Sequence, residues 1–232
     1  MQDVYDGLVG RFAAERFPGA TSVIVAGSTA RGERTPTSDI DLLLLGDDGF
    51  LGDGADSLAA TFAHEGEAIE VFAYTPEGFD HWARRGVAEW RPVIVRMLLQ
   101  GRTLRGDRRL DALRGVWAPI MASGPRPAPH EIDLLRYAIT DLLDDLADTA
   151  DPLERRIVAD TLLQRVAELA LVTNHRWLGA GKHLARELRA WDAERAARLV
   201  DPYLAGEVDA FAAAAFAELN AAGGRLHTGF VR

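Results

Sequence analysis

Apolar positions along this chain recur on two different periods. Over residues 3–17, Val4, Leu8, Phe12 and Ala13 repeat at helical spacing, and Pro18-Gly19 ends that helix. Residues 21–26 read as a short buried strand. Residues 27–37 are a turn region with room for one helical turn. Residues 40–45, Ile-Asp-Leu-Leu-Leu-Leu, predict a second strand. Gly46, Asp48, Gly49, Gly52 and Gly54 make a flexible loop. Residues 57–64 predict a helix. Residues 68–74, rich in Val, Phe and Tyr, predict a third strand. Thr75-Pro76-Glu77 then looks like a helix start, with proline at the first helical position. A further helix is predicted over 87–99, with Pro92 near its first turn, and a small strand at Thr103-Leu104.

Residues 122–130, Ala-Ser-Gly-Pro-Arg-Pro-Ala-Pro-His, are dense in proline and glycine. They divide the chain into a domain over 1–122, a linker over 123–129 and a second domain over 130–232. Beyond the linker the pattern is helical throughout, over 131–148, 152–173, 183–200 and 204–222. Four amphipathic helices with short joints predict a bundle. The fold class is α+β, a strand-containing domain followed by a C-terminal α-helical bundle.

Composition narrows the classes of function. With 232 residues and 48% hydrophobic side chains, a packed core is within reach. The absence of cysteine removes disulfides, thiolate metal sites and cysteine nucleophiles. No apolar run reaches the ~18 residues that a membrane helix needs. Met1-Gln2-Asp3-Val4 lacks the basic and apolar regions of a signal peptide, so a cytoplasmic protein is expected. A net charge of −9 argues against a nucleic-acid partner, which needs Lys and Arg for phosphate contacts. It suits a cationic one. The cations are almost all arginine, and Lys182 is the sole lysine.

The chemistry concentrates in residues 23–45. Asp39 and Asp41 lie at i and i+2 on a strand and therefore share a face. Two carboxylates that close repel unless a cation sits between them. Mg2+ is commonly held by one or two carboxylates together with substrate phosphates. Gly27-Ser28 stands at the end of the preceding strand. Glycine permits close backbone approach, and the serine hydroxyl and the following amides can donate to phosphate.

The run Val-Ala-Gly-Ser at 25–28, followed by Asp-Ile-Asp-Leu at 39–42, resembles the signature of the polymerase-β-like nucleotidyltransferase superfamily. The fuller stretch GSTARGERTPTSDIDLLLL is similar to the branch holding minimal nucleotidyltransferases and aminoglycoside nucleotidyltransferases. The resemblance is strong over 23–45 and extends across roughly 5–110 by element order. It implies a small mixed sheet with helices, and Asp39 and Asp41 as Mg2+ ligands. It also implies a third acid on a later strand. Glu70 in AIEVFAY is that candidate, with Glu67 as a competitor placed in the preceding loop. Glu70 would complete the metal site or act as general base. Arg31 has two readings, a triphosphate contact or a salt bridge to Asp39 or Glu33. The implied reaction moves a nucleoside monophosphate, AMP from ATP, to a substrate hydroxyl, with two metal ions or with one metal plus Glu70.

The same resemblance places the acceptor against an appended helical domain. Asp141, Asp145 and Asp148 share one helical face. That face is either simply solvated or draws in a cationic acceptor such as an aminoglycoside. Lys182 follows Gly179 and Gly181 and opens a helix, a setting suited to a triphosphate contact. Trp177 is a candidate for the acceptor cleft or for the core. The leading expectation is a Mg2+-dependent enzyme using ATP and a small hydroxylated acceptor. The alternatives are a protein AMP-transferase of the antitoxin type and a non-catalytic nucleotide-binding module. Oligomeric state is not encoded in any pattern seen here.

Overall fold

The computed structural model describes residues 2–231, with side chains from Tyr5 to Val231. The chain divides into two compact units, residues 1–123 and 124–232. The first contains α1 (Gln2–Arg16), β1 (Ala20–Val25), α2 (Gly27–Arg31), β2 (Ile40–Gly46), β3 (Ser57–His64) and β4 (Glu67–Tyr74). It continues with α3 (Pro76–Ala88), α4 (Val93–Gln100), β5 (Arg102–Arg105) and α5 (Arg108–Ser123). The second unit is helical: α6 (Pro129–Asp148), α7 (Pro152–Thr173), α8 (Lys182–Trp191), α9 (Ala193–Ala205) and α10 (Val208–Ala221). This is the expected α+β class.

The sheet has the order β3-β4-β2-β1-β5. Only the β2–β4 pair is parallel; the other three pairs are antiparallel. Strand alternation gives each face its own core. Ile40, Leu42 and Leu44 of β2 pack with Val23, Val25, Ile69 and Val71 against Leu8, Val9, Phe12 and Ala13 of α1. The side chain of Val4, assigned to the same helical stripe, lies outside the described residues. Leu43 and Ile24 face the other way, into Phe79, Ala83, Val95, Leu98 and Trp117 from α3, α4 and α5. Asp41 precedes Leu43 by two residues, so it points to this second face, at the end of the strand where helical cover stops.

Several elements differ from the sequence reading. Residues 57–64 form a strand, not a helix. Their exposure alternates from Leu58 to His64, and every residue pairs with β4, from Ser57 against Tyr74 to His64 against Glu67. Between His64 and Glu67 lie Glu65 and Gly66, both at positive φ, 49° and 85°. That is the backbone of a type I′ hairpin turn. The alanine-rich composition favours helix, but pairing and one-sided burial decide the outcome. Glu67 accordingly begins β4 instead of lying in a loop.

The helix expected over 87–99 starts only at Val93: Val87 and Ala88 still belong to α3, Trp90 has φ 60°, and Pro92 precedes α4. The helix expected over 183–200 is also divided. Asp192 takes an extended conformation and caps α9 by accepting from the Arg195 amide at 2.8 Å. The last expected helix, over 204–222, starts only at Val208, because α9 runs to Ala205 and Gly206 ends it in the left-handed region. The helical unit thus holds five helices among the described residues, where the pattern predicted four. No helix among the described residues is long and apolar enough to cross a membrane.

Candidate active site

The parallel pairing of β2 with β4 sets Asp41 directly against Glu70. Asp39, just ahead of β2, reaches the same place. One carboxylate oxygen from each of Asp39, Asp41 and Glu70 lies within 4.8 Å of the other two. All three side chains are half-buried. Three carboxylates offer the hard oxygen donors that Mg2+ or Mn2+ takes.

Electrostatics bear the marks of this crowding. Burial pushes the Asp41 carboxyl above its ordinary range, and repulsion from Asp39 adds to it; a hydrogen bond with Glu70 and the charge of Arg31 oppose the rise. Burial also raises Glu70, followed by repulsion from Asp41 and Asp39 and by its hydrogen bond to Asp41. Burial and repulsion thus favour the protonated form of Glu70, and its hydrogen bond to Asp41 favours the same form. A divalent cation replaces that proton and removes the repulsion, so the donor set fits a metal.

The opposite wall is α2. The turn expected at 27–37 begins as this five-residue helix. Gly27 sits at φ 59°, and its backbone abuts the acids: a Cβ there would lie 1.7 Å from Asp41 Oδ2. The Ala26 amide donates to the Asp41 carbonyl at 2.8 Å, which locks β1 to β2 at this point. Gly27→Ala should displace the Asp41 carboxylate and add about 1–2 kcal/mol of left-handed strain. The expected result is a folded protein, by circular dichroism, with divalent-cation affinity and any transfer rate reduced at least tenfold.

Arg31 closes the helix. Its Nε donates to Glu33 Oε2 at 2.9 Å, so of the two salt bridges considered the one to Glu33 is present, and its side chain remains 43% exposed. Glu67 does not join the acids; it pairs with Arg34 Nη2 at 2.6 Å. Arg34 and Thr29 carry no recognisable sequence signal, and both contact the Asp39 backbone.

Along β4, Phe72 and Tyr74 follow Glu70 on the same face. They line a cavity of about 400 Å3 with Ala59, Trp82, Arg85 and Ile94. The Arg85 guanidinium lies over the Trp82 ring at 5.0 Å. An apolar wall thus begins one side chain away from the third acid.

The remaining candidates belong to the second unit. Asp141 and Asp145 are exposed on α6, while Asp144 of the same helix pairs with Arg225. Trp177 is buried, at 8% exposure. Lys182 is exposed at the first position of α8, after Gly181 at φ 52°.

Comparison with known proteins agrees with the N-terminal reading. Residues 10–86 match the family described as Nucleotidyltransferase domain. That stretch contains Gly27, Ser28, Asp39, Asp41 and Glu70. No curated protein matches the chain. Among solved structures, the crystal structure of a nucleotidyltransferase-like protein from Exiguobacterium sibiricum 255-15 resembles it at 12% identity and a TM-score of 0.48. The likeness covers 94% of this chain and 74% of that one. The aminoglycoside branch finds no support in these likenesses. Over residues 10–86, within its first unit, the chain is thus similar to the nucleotidyltransferase domain family.

Proposed function

We propose that this protein transfers a nucleoside monophosphate, AMP from ATP, to a hydroxyl of a small molecule. The convergence of Asp39, Asp41 and Glu70 beside the Gly27 backbone carries this reading. A divalent cation, Mg2+ in the cell, would be held by the three carboxylates and would neutralise charge on the phosphates. Gly27 gives the triphosphate close approach to the backbone, and the Ser28 hydroxyl and the amides after it donate to its oxygens. Arg31, exposed at the end of α2, adds a positive charge on the same side.

Glu70 orients the acceptor hydroxyl. Its place on β4 opposite Asp41 lets it serve as general base for that hydroxyl. The hydroxyl oxygen bonds to the α-phosphorus, the bond to pyrophosphate breaks, and the hydroxyl proton passes to Glu70. The acceptor rests its apolar part against Phe72 and Trp82, two side chains of the cavity beyond Glu70.

From the helical unit we assign Lys182 to the triphosphate, and Asp141, Asp145 and Trp177 to acceptor binding. Lys182→Ala should then raise KM for the nucleotide about tenfold, as expected for one charge-assisted phosphate contact, and leave acceptor KM alone. Unchanged nucleotide KM removes Lys182 from the site. Labelled ATP, Mg2+ and a panel of small hydroxylated acceptors, cationic and neutral, test the substrate class. Label on a small molecule supports the proposal. Label on a protein favours protein AMP-transfer, and binding without transfer leaves a nucleotide-binding module.

A further inference from the structure

Asp39 is the least securely built of the three acids. It lies one residue before β2, and the β2–β4 pairing begins only at Ile40 against Ile69. The segment ahead of it, residues 33–39, belongs to no helix or strand. The backbone bonds in this segment are Glu33 N to Ser28 O at 2.9 Å and Ser38 N to Thr35 O at 3.0 Å. A carboxylate on such a segment needs another restraint if it is to hold a position to within a fraction of an ångström.

One guanidinium supplies it. Arg34 Nη1 donates to the Asp39 carbonyl at 3.2 Å and to Thr29 Oγ1 of α2 at 3.0 Å. Arg34 Nη2 donates to the Ser38 carbonyl at 2.9 Å and to Glu67 Oε2 at 2.6 Å. The guanidinium also lies over the Tyr5 ring of α1, 4.5 Å from its centroid. The Arg34 side chain is 17% exposed and Thr29 only 3%. Thr29 Oγ1 reaches back to the Asp39 carbonyl at 3.4 Å, closing a small ring of contacts.

We propose that Arg34 is the positioning residue of the acidic site. It binds together the three segments that carry the phosphate-facing turn, Asp39 and Glu70. The inference rests on the metal-site reading of the acids given above. Arg34 touches no reacting group; it acts through the backbone that bears Asp39. The planar fork matters more than the charge. Four acceptors at two nitrogens match a guanidinium, and a lysine ammonium on a flexible stem cannot reach all of them. Its pairing with Glu67, three residues before Glu70, ties the loop to the strand that carries the third acid.

The test is Mn2+ binding to the full-length protein, followed by electron paramagnetic resonance, for wild type, Arg34→Lys, Arg34→Gln, Asp39→Ala and the Arg34→Gln/Asp39→Ala double variant. Loss of an outer-shell contact that orients a metal ligand costs about 10–100-fold in metal affinity. We expect Mn2+ affinity to fall about a hundredfold in Arg34→Gln and about tenfold in Arg34→Lys. The double variant should bind no worse than Asp39→Ala alone, because Arg34 works through Asp39. Equal Mn2+ affinity in wild type and both Arg34 variants overturns the proposal. So does a double variant whose losses simply multiply. Arg34→Lys keeps the charge and serves if the glutamine variant fails to fold; its affinity must then lie below wild type. If wild type itself binds no Mn2+, the metal-site reading falls and the positioning role falls with it, an outcome separate from the first two.

Discussion

Asp41→Asn is expected to slow transfer by about 10²–10³-fold and, in EDTA at neutral pH, to raise the melting temperature. The two effects have one cause. Asp41 is half-buried beside two other acids, and burial and repulsion raise its pKa. A carboxyl whose folded pKa exceeds its unfolded pKa binds its proton more tightly in the folded state. Its stabilising contribution is complete below the unfolded value, near ~4, and is lost as pH rises through the raised value. At neutral pH the ionised group therefore opposes folding. Asparagine keeps the shape and removes the charge. Each ~1 kcal/mol relieved should raise melting by about 2–4 °C in a chain of this size. The same change removes a metal ligand, and loss of one preorganised electrostatic contact costs a factor of about 10²–10³ in rate. Melting curves in EDTA and transfer rates with Mg2+ check both halves. A variant that melts lower in EDTA contradicts the electrostatic account. A variant that keeps its rate contradicts the metal site.

The second large effect is on pH. Affinity for a divalent cation should climb steeply from about pH 4 upward, by about tenfold per pH unit for each proton displaced. Both Asp41 and Glu70 have raised pKa values, so the steepest slope should correspond to two protons. Above the raised values the curve flattens. Glu70→Gln removes one titrating group and the hydrogen-bonded proton shared with Asp41. Its curve should be weaker at every pH and shallower by about one proton. Mn2+ titrations across the pH range measure both slopes. An affinity that does not vary with pH would falsify the shared-proton picture.

The acids were legible in the sequence because their arrangement is local. Asp39 and Asp41 depend only on strand alternation, and Gly27-Ser28 on the end of the strand before it. Glu70 depends on register. The β4 alternation places it on one face or the other, but only pairing with β2 sets it against Asp41. Residues 57–64 were misread because alanine favours helix while the hairpin at Glu65-Gly66 determines the partner. The alternation of Leu58, Ala60, Phe62 and His64 was present but muted by small side chains. Arg34 illustrates the opposite limit. Its partners lie at Tyr5, Thr29, Ser38, Asp39 and Glu67, separated by up to 33 residues, and no periodicity connects them. The division of the later helices at Asp192 had a local signal, an aspartate cap, hidden inside a continuous amphipathic pattern.

Parallel incubations with ATP labelled at the α- or the γ-phosphate, with Mg2+ and pooled hydroxylated acceptors, test the central claim most directly. The expected result is α-label on the acceptor and γ-label released as pyrophosphate, both lost in EDTA and in Asp39→Ala. Label from the γ-phosphate on the acceptor, or α-label transfer that survives EDTA or Asp39→Ala, would contradict it.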